Sequence, residues 1–190
     1  KRTSTVTSAP ATAIDIPDLT GALCGAHRPG HFQGVALVVA KLFNIVRPDV
    51  AIFGVKDFQQ AAVIRRLVTD LDFPVEIVTA PTVREEDGLA MSSRNAYLSA
   101  EQRQAATVLH AALEVGAAAV RGGENQSATV EALMAARVAA EPDASLQYAA
   151  AVDPETLQPS QAIRGAVLRW RHSLGQGPAG GGSGNTELLF

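Results

Sequence analysis

The chain has 190 residues and a net charge of -3, from 16 Lys and Arg against 19 Asp and Glu. Hydrophobic residues make up 47% of the chain, which is enough for a packed core, so a chain disordered over its whole length is excluded. The slight acidity argues against a general nucleic-acid binder. No apolar run reaches the roughly 18–20 residues of a membrane span. We therefore expect neither a nucleic-acid nor a membrane partner, and the single cysteine, Cys24, fits a reducing compartment.

Helices and strands are predicted to alternate from residue 34 onward. Gly34–Val46 is apolar around most of its circumference, which predicts a largely buried helix. The run Val50–Phe53, closed by Gly54, is typical of a strand buried on both faces. Helical spacing of apolar residues predicts a helix over Phe58–Leu71, and Val75–Val78 is the next predicted strand. The predicted fold class is α/β, a partial doubly wound parallel sheet followed by a small α+β domain.

The α+β part begins after a polar loop, Pro81–Asn95. Ser99 and Gln102 form a predicted capping box that starts a helix reaching to about Val120, and Gly122 ends it. Further elements are predicted over Ser127–Ala140 as a helix and over Leu146–Val152 and Ala166–Trp170 as strands that pair.

The first chemical cluster lies where the strand Val50–Phe53 gives way to a helix. Ligands bind at this edge of open α/β sheets. Gly54 permits close approach of the backbone, and Lys56 offers a mobile charge for a phosphate. Asp57 is placed to cap the helix, and Gln59 and Gln60 carry groups that suit hydroxyls and carboxylates. The alternative interpretation makes Asp57 only a cap and Lys56 only a solvated charge.

The second cluster follows the next strand. Ser92, Ser93 and Arg94 are suited to phosphate oxygens, since hydroxyls donate to them and a guanidinium makes bidentate contacts. The alternative is a surface turn. Two such loops at successive strand ends favour one shared phosphate site.

Other candidate residues carry less chemistry. His27 and His31 are four residues apart, but Pro29 and Gly30 between them break the helix that a metal-binding pair needs. We predict no metal site there, a buried hydrophobic role for the lone cysteine, and a structural role for His110.

Four segments together resemble the pantoate–β-alanine ligase (pantothenate synthetase) family. They are Gly25–Phe32, Phe53–Gln60, Pro81–Arg84 and Asp87–Asn95. Within the last segment, Met91–Arg94 resembles that family's form of the KMSKS loop of nucleotidylyl transferases. The resemblance implies a nucleotidylyl-transferase, Rossmann-like fold and a cytoplasmic enzyme that forms a homodimer.

The resemblance also implies a reaction and a set of site residues. ATP with Mg²⁺ would activate the carboxylate of pantoate as pantoyl adenylate, releasing pyrophosphate, and the amine of β-alanine would then displace AMP. Gln60 would hold pantoate. The ATP site would comprise Gly54, Val55, Lys56, Asp57, Val83, Met91, Ser92, Ser93 and Arg94. Among these, Lys56, Ser92, Ser93 and Arg94 would be catalytic, because preplaced cations and donors stabilise charge that grows on departing phosphates.

Three departures from the family pattern shape the expectation. The family's N-terminal segment, with its histidine-containing HIGH-type loop and a substrate-binding glutamine, has no counterpart, and Val55 replaces a family glutamate. After about Gly165 the family ending gives way to a glycine-rich stretch, for which we consider a frame-shifted reading from residue 169 onward.

We therefore expect an inactive fragment with three parts. Residues 1–81 would form the second half of the nucleotide-binding domain, 82–168 the α+β domain and 169–190 a flexible tail. The alternatives are a residual ATP-binding module without ligase activity and a non-functional product of a damaged gene, whose unpaired sheet edge would invite aggregation.

Overall fold

The computed structural model describes residues 11–163, 167–174 and 183–189. The helices are α1 (Pro17–Thr20), α2 (His31–Val46), α3 (Phe58–Asp70), α4 (Ala100–Ala105), α5 (Val108–Arg121) and α6 (Ser127–Ala139). The strands are β1 (Val50–Gly54), β2 (Glu76–Ala80), β3 (Ala144–Val152), β4 (Val167–Leu174) and β5 (Ser183–Leu189). Short 3₁₀ turns cover Val55–Asp57 and Ser93–Tyr97. Within the described ranges, no helix combines the length and the apolar character that crossing a bilayer requires.

Strands β1 and β2 pair in parallel, which confirms the prediction from the alternating elements. The register runs from Val50 opposite Glu76 to Gly54 opposite Ala80. Both strands therefore end at the same edge of the sheet. The loops that carry the two predicted phosphate clusters leave from this edge.

One face of this part is packed and the other is open. Helices α2 and α3 share an apolar core with the inward side chains of both strands, and Phe43 meets Phe73 edge to face with ring centroids 5.6 Å apart. The predictions of a strand buried on both faces for β1 and of a largely buried helix for α2 are wrong, because Ile52 is 69% exposed and Ile45 is 76% exposed. No described element covers these side chains.

Two helix boundaries differ from the sequence expectation. Helix α2 starts at His31, one turn before the predicted Gly34, because the left-handed backbone of Gly30 (φ 78°) turns the chain into it. The predicted long helix after Ser99 is interrupted between α4 and α5. There, the N–H and the hydroxyl of Thr107 both donate to the Gln104 carbonyl, which tightens the turn. The capping box of Ser99 and Gln102 is present as predicted.

The α+β part is a layer of helices on an antiparallel sheet. Helices α5 and α6 pack on β3 through a core that includes Leu113, Met134 and Ala151. The sheet order is β3-β4-β5, so the predicted pairing of the two strands is confirmed. The described backbone places 167–174 and 183–189 in paired strands. Residues 175–182, within the predicted tail of 169–190, lie outside the described residues, and the flexible tail stays a prediction.

Candidate functional site

The site begins at the end of β1, where Gly54 leads into the 3₁₀ turn Val55–Asp57 and then into α3. This turn projects Lys56 toward the loop after β2. Its ammonium group donates to the Met91 carbonyl oxygen at 3.0 Å, across 35 residues of sequence. The two predicted phosphate clusters therefore lie against each other.

Backbone hydrogen bonds give the loop after β2 a defined conformation. An antiparallel bridge joins Arg84 to Ala90, and the Met91 N–H donates to the Val83 carbonyl at 2.9 Å. At the tip, Gly88 has a φ of 87°, which favours glycine, and a Cβ there would overlap the ring of His110. We call residues 81–98 the serine–arginine loop.

The serine–arginine loop ends in the 3₁₀ turn that carries the predicted catalytic residues. Ser92 caps this turn, since its Oγ accepts from the Arg94 N–H at 3.3 Å. Ser93 and Arg94 are exposed, as are Val83 and Met91. Cations, hydroxyls and apolar side chains thus lie side by side on an open surface, a combination that suits a phosphorylated ligand with an aromatic base.

The electrostatic environment of Lys56 includes the charges of two arginines. Partial burial of the ammonium group lowers the pKa of Lys56 from its ordinary 10.5, and the positive charges of Arg94 and Arg84 lower this pKa further. The carboxylate of Asp57 acts in the opposite direction. Three cations gathered in one place repel each other unless an anion joins them.

Replacing Lys56 by methionine is expected to change how stability depends on pH. Because the folded-state pKa of Lys56 is lowered, keeping this group charged costs the native state free energy at neutral pH. That cost disappears as pH rises through the lowered pKa to about 10.5, so the wild-type chain gains stability relative to Lys56→Met over this range. Urea unfolding of both chains at a series of pH values measures the difference, and a difference independent of pH would contradict the expectation.

Arg84 is a site residue that sequence analysis missed. Burial lowers its pKa, and its guanidinium donates to the Gly88 carbonyl at 3.1 Å while lying near Lys56. The signal was its place in the Pro81–Arg84 segment directly after β2, where a cation follows a strand end. Lys56 likewise follows the end of a strand, β1.

The two neighbouring glutamines have different roles. Gln59 is 1% exposed, and its side chain bonds to the segment before α2. Its amide donates to the carbonyls of Leu19 and Ala22 at 2.8 and 2.7 Å, and its oxygen accepts from the Cys24 N–H at 3.1 Å. The suggestion that Gln59 serves a ligand is therefore replaced by a structural role.

Gln60 is only partly buried and lines a shallow pocket that is open to solvent. The pocket is formed by Cys24, Arg28, His31, Phe32, Asp57, Gln59 and Gln60. Arg28 donates to His31 Nε2 at 3.0 Å, so the Gly25–Phe32 segment brings a cation beside Gln60. A polar pocket with a cation and an amide suits a small carboxylate.

The structure also shows the surroundings of Asp57, Val55 and Cys24. Asp57 occupies the N-cap position of α3, but its side chain makes no capping hydrogen bond there. Val55 is partly buried and packs against the core of α2 and α3. Cys24 is buried, as predicted. Among the described residues, no group of three or more His, Cys, Asp or Glu side chains is placed to hold a metal ion.

Comparison with known proteins identifies the family. The family model described as pantoate-beta-alanine ligase matches residues 3–176, which reaches into the segment considered for a frame-shifted reading. Pantothenate synthetase from Moorella thermoacetica is 54% identical over 158 residues, covering 83% of this chain and 56% of that protein. The relative from Syntrophotalea carbinolica is 52% identical over 166 residues, covering 87% and 59%.

Solved structures give the same answer for the fold. Pantothenate synthetase from Thermus thermophilus superposes with a TM-score of 0.86 at 44% identity, over 94% of this chain and 63% of that one. Pantoate-beta-alanine ligase from Francisella tularensis, complexed with beta-gamma ATP and beta-alanine, superposes with a TM-score of 0.67 at 24% identity, over 94% and 58%, and shares the fold.

The predicted fold class, mixed α/β with a parallel sheet of the nucleotidyltransferase type, is thereby confirmed. The chain spans just over half the length of the curated relatives that it matches. Because the family model covers nearly all of it and the agreement extends to the solved structures, this chain belongs to the pantoate–β-alanine ligase family.

Proposed function

We propose that this chain carries the ATP-phosphate site and the C-terminal domain of an ATP-dependent ligase that joins pantoate to β-alanine. One observation carries the proposal: Lys56 contacts the Met91 carbonyl, so the turn after β1 and the serine–arginine loop border one space. A single triphosphate can reach both. Membership of the family supports the choice of reaction, and this contact supports placing its charged step between the two loops.

The charges of the site suit formation of an adenylate. When the pantoate carboxylate attacks the α-phosphate of ATP, the bond to pyrophosphate breaks and negative charge grows on the departing oxygens. Lys56 and Arg94 are placed to stabilise that charge, and the hydroxyls of Ser92 and Ser93 would donate to phosphate oxygens. Mg²⁺ would arrive with the triphosphate, whose oxygens are its usual ligands in such sites.

The substrates would occupy neighbouring positions. Gly54 lies at the end of β1 and leaves open space above the backbone, which allows a nucleotide close approach. Val83 and Met91 are exposed and apolar and would contact the base. Gln60, in the pocket beside Asp57, would hold pantoate, and the β-alanine amine would then attack the acyl carbon of pantoyl adenylate and release AMP.

We expect no ligation by the 190-residue chain alone. A coupled assay for AMP release, dependent on both pantoate and β-alanine, should give background rates. Adding the N-terminal part of the Moorella thermoacetica relative should restore turnover, because the family resemblance assigns to that segment a histidine-containing loop and a substrate-binding glutamine. Turnover near that of an intact relative without the addition would contradict the expectation of inactivity.

A second candidate, an ATP-binding module that ligates nothing, is favoured by one observation. The cations that would bind phosphate all lie on described loops of this chain, while apolar faces of α2 and β1 remain open. ATP binding in calorimetry, combined with no AMP release even after complementation, would favour this module. Absence of ATP binding would contradict both candidates.

A further inference from the structure

Arg103, on helix α4, bonds to two carboxylates of the serine–arginine loop. Its Nη1 donates to Asp87 Oδ2 at 2.5 Å, and its Nη2 donates to Glu85 Oε2 at 3.0 Å. The side chains are partly exposed, 28% for Arg103, 38% for Glu85 and 44% for Asp87. One guanidinium therefore joins two positions of the loop, both just before its tip, to helix α4. A planar guanidinium suits this arrangement because its donors lie on separate nitrogens in a fixed fork.

Both carboxylates also accept hydrogen bonds from other residues of the loop. The second oxygen of Glu85 accepts from Asn95 Nδ2 at 3.0 Å, and the same amide donates to the Ala90 carbonyl at 3.1 Å. The second oxygen of Asp87 accepts from the Leu89 N–H at 3.1 Å. The network therefore fixes the loop on both sides of the segment 91–94.

The enclosed segment contains the groups assigned to phosphate. Met91 follows Ala90 directly, and its carbonyl accepts the hydrogen bond from Lys56. Arg94 directly precedes Asn95. Without the network, these positions would depend on backbone hydrogen bonds of the loop, on the Lys56 contact and on the packing of Leu89 against Ala105 and Ala106. A loop that must be ordered when the ligand binds lowers affinity by the entropy of that ordering.

We propose that Arg103 is a positioning residue of the ATP site, which orders the serine–arginine loop through Glu85 and Asp87 before the nucleotide binds. The proposal rests on the proposed function for the identity of the ligand. It assigns to α4 a role in a site that is otherwise formed by the turn after β1 and the serine–arginine loop.

If Arg103 served only the overall stability of the fold, Arg103→Ala would lower the urea midpoint of unfolding. We expect a midpoint close to that of the wild type instead, because partly exposed ion pairs contribute little to global stability. A positioning role predicts a local effect instead, confined to the loop and to ligand binding. Hydrogen bonds to charged groups are strong enough for their loss to raise local opening by about tenfold.

Hydrogen exchange measured by mass spectrometry on the ATP-free chain tests the ordering. In Arg103→Ala, peptides over 83–95 should exchange about tenfold faster, while peptides of α5 and α6 keep their rates. Arg103→Lys should fall between, because an ammonium group keeps the charge but lacks the fixed fork of donors with which the guanidinium reaches both carboxylates. Arg121→Ala is the matched control, since that exposed side chain pairs only with Glu114 among the described residues, at 3.4 Å.

Calorimetry with ATP tests the consequence for binding. The dissociation constant should rise about tenfold in Arg103→Ala, less in Arg103→Lys and not in Arg121→Ala. Wild-type exchange of the loop in both Arg103 variants overturns the proposal whether or not ATP binds. Faster exchange with unchanged ATP affinity also overturns it, although the proposed function would stand. Loss of ATP binding in all chains, wild type included, contradicts the proposed function, and the exchange rates still decide whether Arg103 orders the loop.

Discussion

Replacing Lys56 by alanine is expected to weaken ATP binding by roughly 10- to 100-fold, the loss expected for a charge-assisted contact to phosphate. In the structure the ammonium group contacts the Met91 carbonyl and lies close to Arg84 and Arg94. Its removal takes away one of three cations that an incoming triphosphate would neutralise. Calorimetric titration of each chain with ATP and Mg²⁺ measures the change.

The matched control is Lys41→Ala. Lys41 is exposed on helix α2 and belongs to neither of the loops that form the proposed phosphate site. Both substitutions remove one lysine, so the net charge of the chain changes equally. Equal weakening by the two variants would show that ATP responds only to overall charge, and the assignment of the site would then be wrong.

Replacing Gln59 by alanine is expected to lower the free energy of unfolding by about 3 kcal/mol, because buried polar groups lose their partners. The carbonyls of Leu19 and Ala22 and the N–H of Cys24 would each lose a hydrogen bond. The segment between α1 and α2 would then lose its hydrogen bonds to the Gln59 side chain of α3. Urea denaturation followed by circular dichroism measures the loss.

Gln60→Ala supplies the comparison at the adjacent position. Its side chain is partly buried at a pocket open to solvent, so we expect a change of about 0.5 kcal/mol or less. If the pocket holds pantoate, this variant should weaken pantoate binding instead. Similar losses of stability in the two variants would contradict the division of roles between these glutamines.

Much of the fold follows from local pattern. Alternating apolar strands and helices with short connections leave parallel pairing as the natural solution, and β1 and β2 pair in this way. The same logic brings Lys56 to Met91, since parallel strands end at one edge. The family resemblance adds the identity of the ligand, and the roles of the site residues stay predictions.

The failures of prediction have identifiable causes. An apolar run shows that a strand or helix needs cover, but not which part of a chain supplies it, and Ile52 is exposed for that reason. Gln59 and Gln60 are the same residue type, and only the rotation of about 100° between neighbours on a helix sends one inward. Asp57 sits at the cap position with its side chain uncommitted to the helix, which depends on tertiary geometry that spacing does not encode.

The turn at Gly88 has a consequence for how this protein can vary. A side chain at position 88 faces a backbone angle that disfavours it and also the ring of His110 on α5. A smaller residue at position 110 removes only the second obstacle. Replacement of Gly88 during evolution therefore needs at least two coordinated changes. His110 touches no proposed substrate, yet it limits which residues can occupy the loop that carries the phosphate-binding groups.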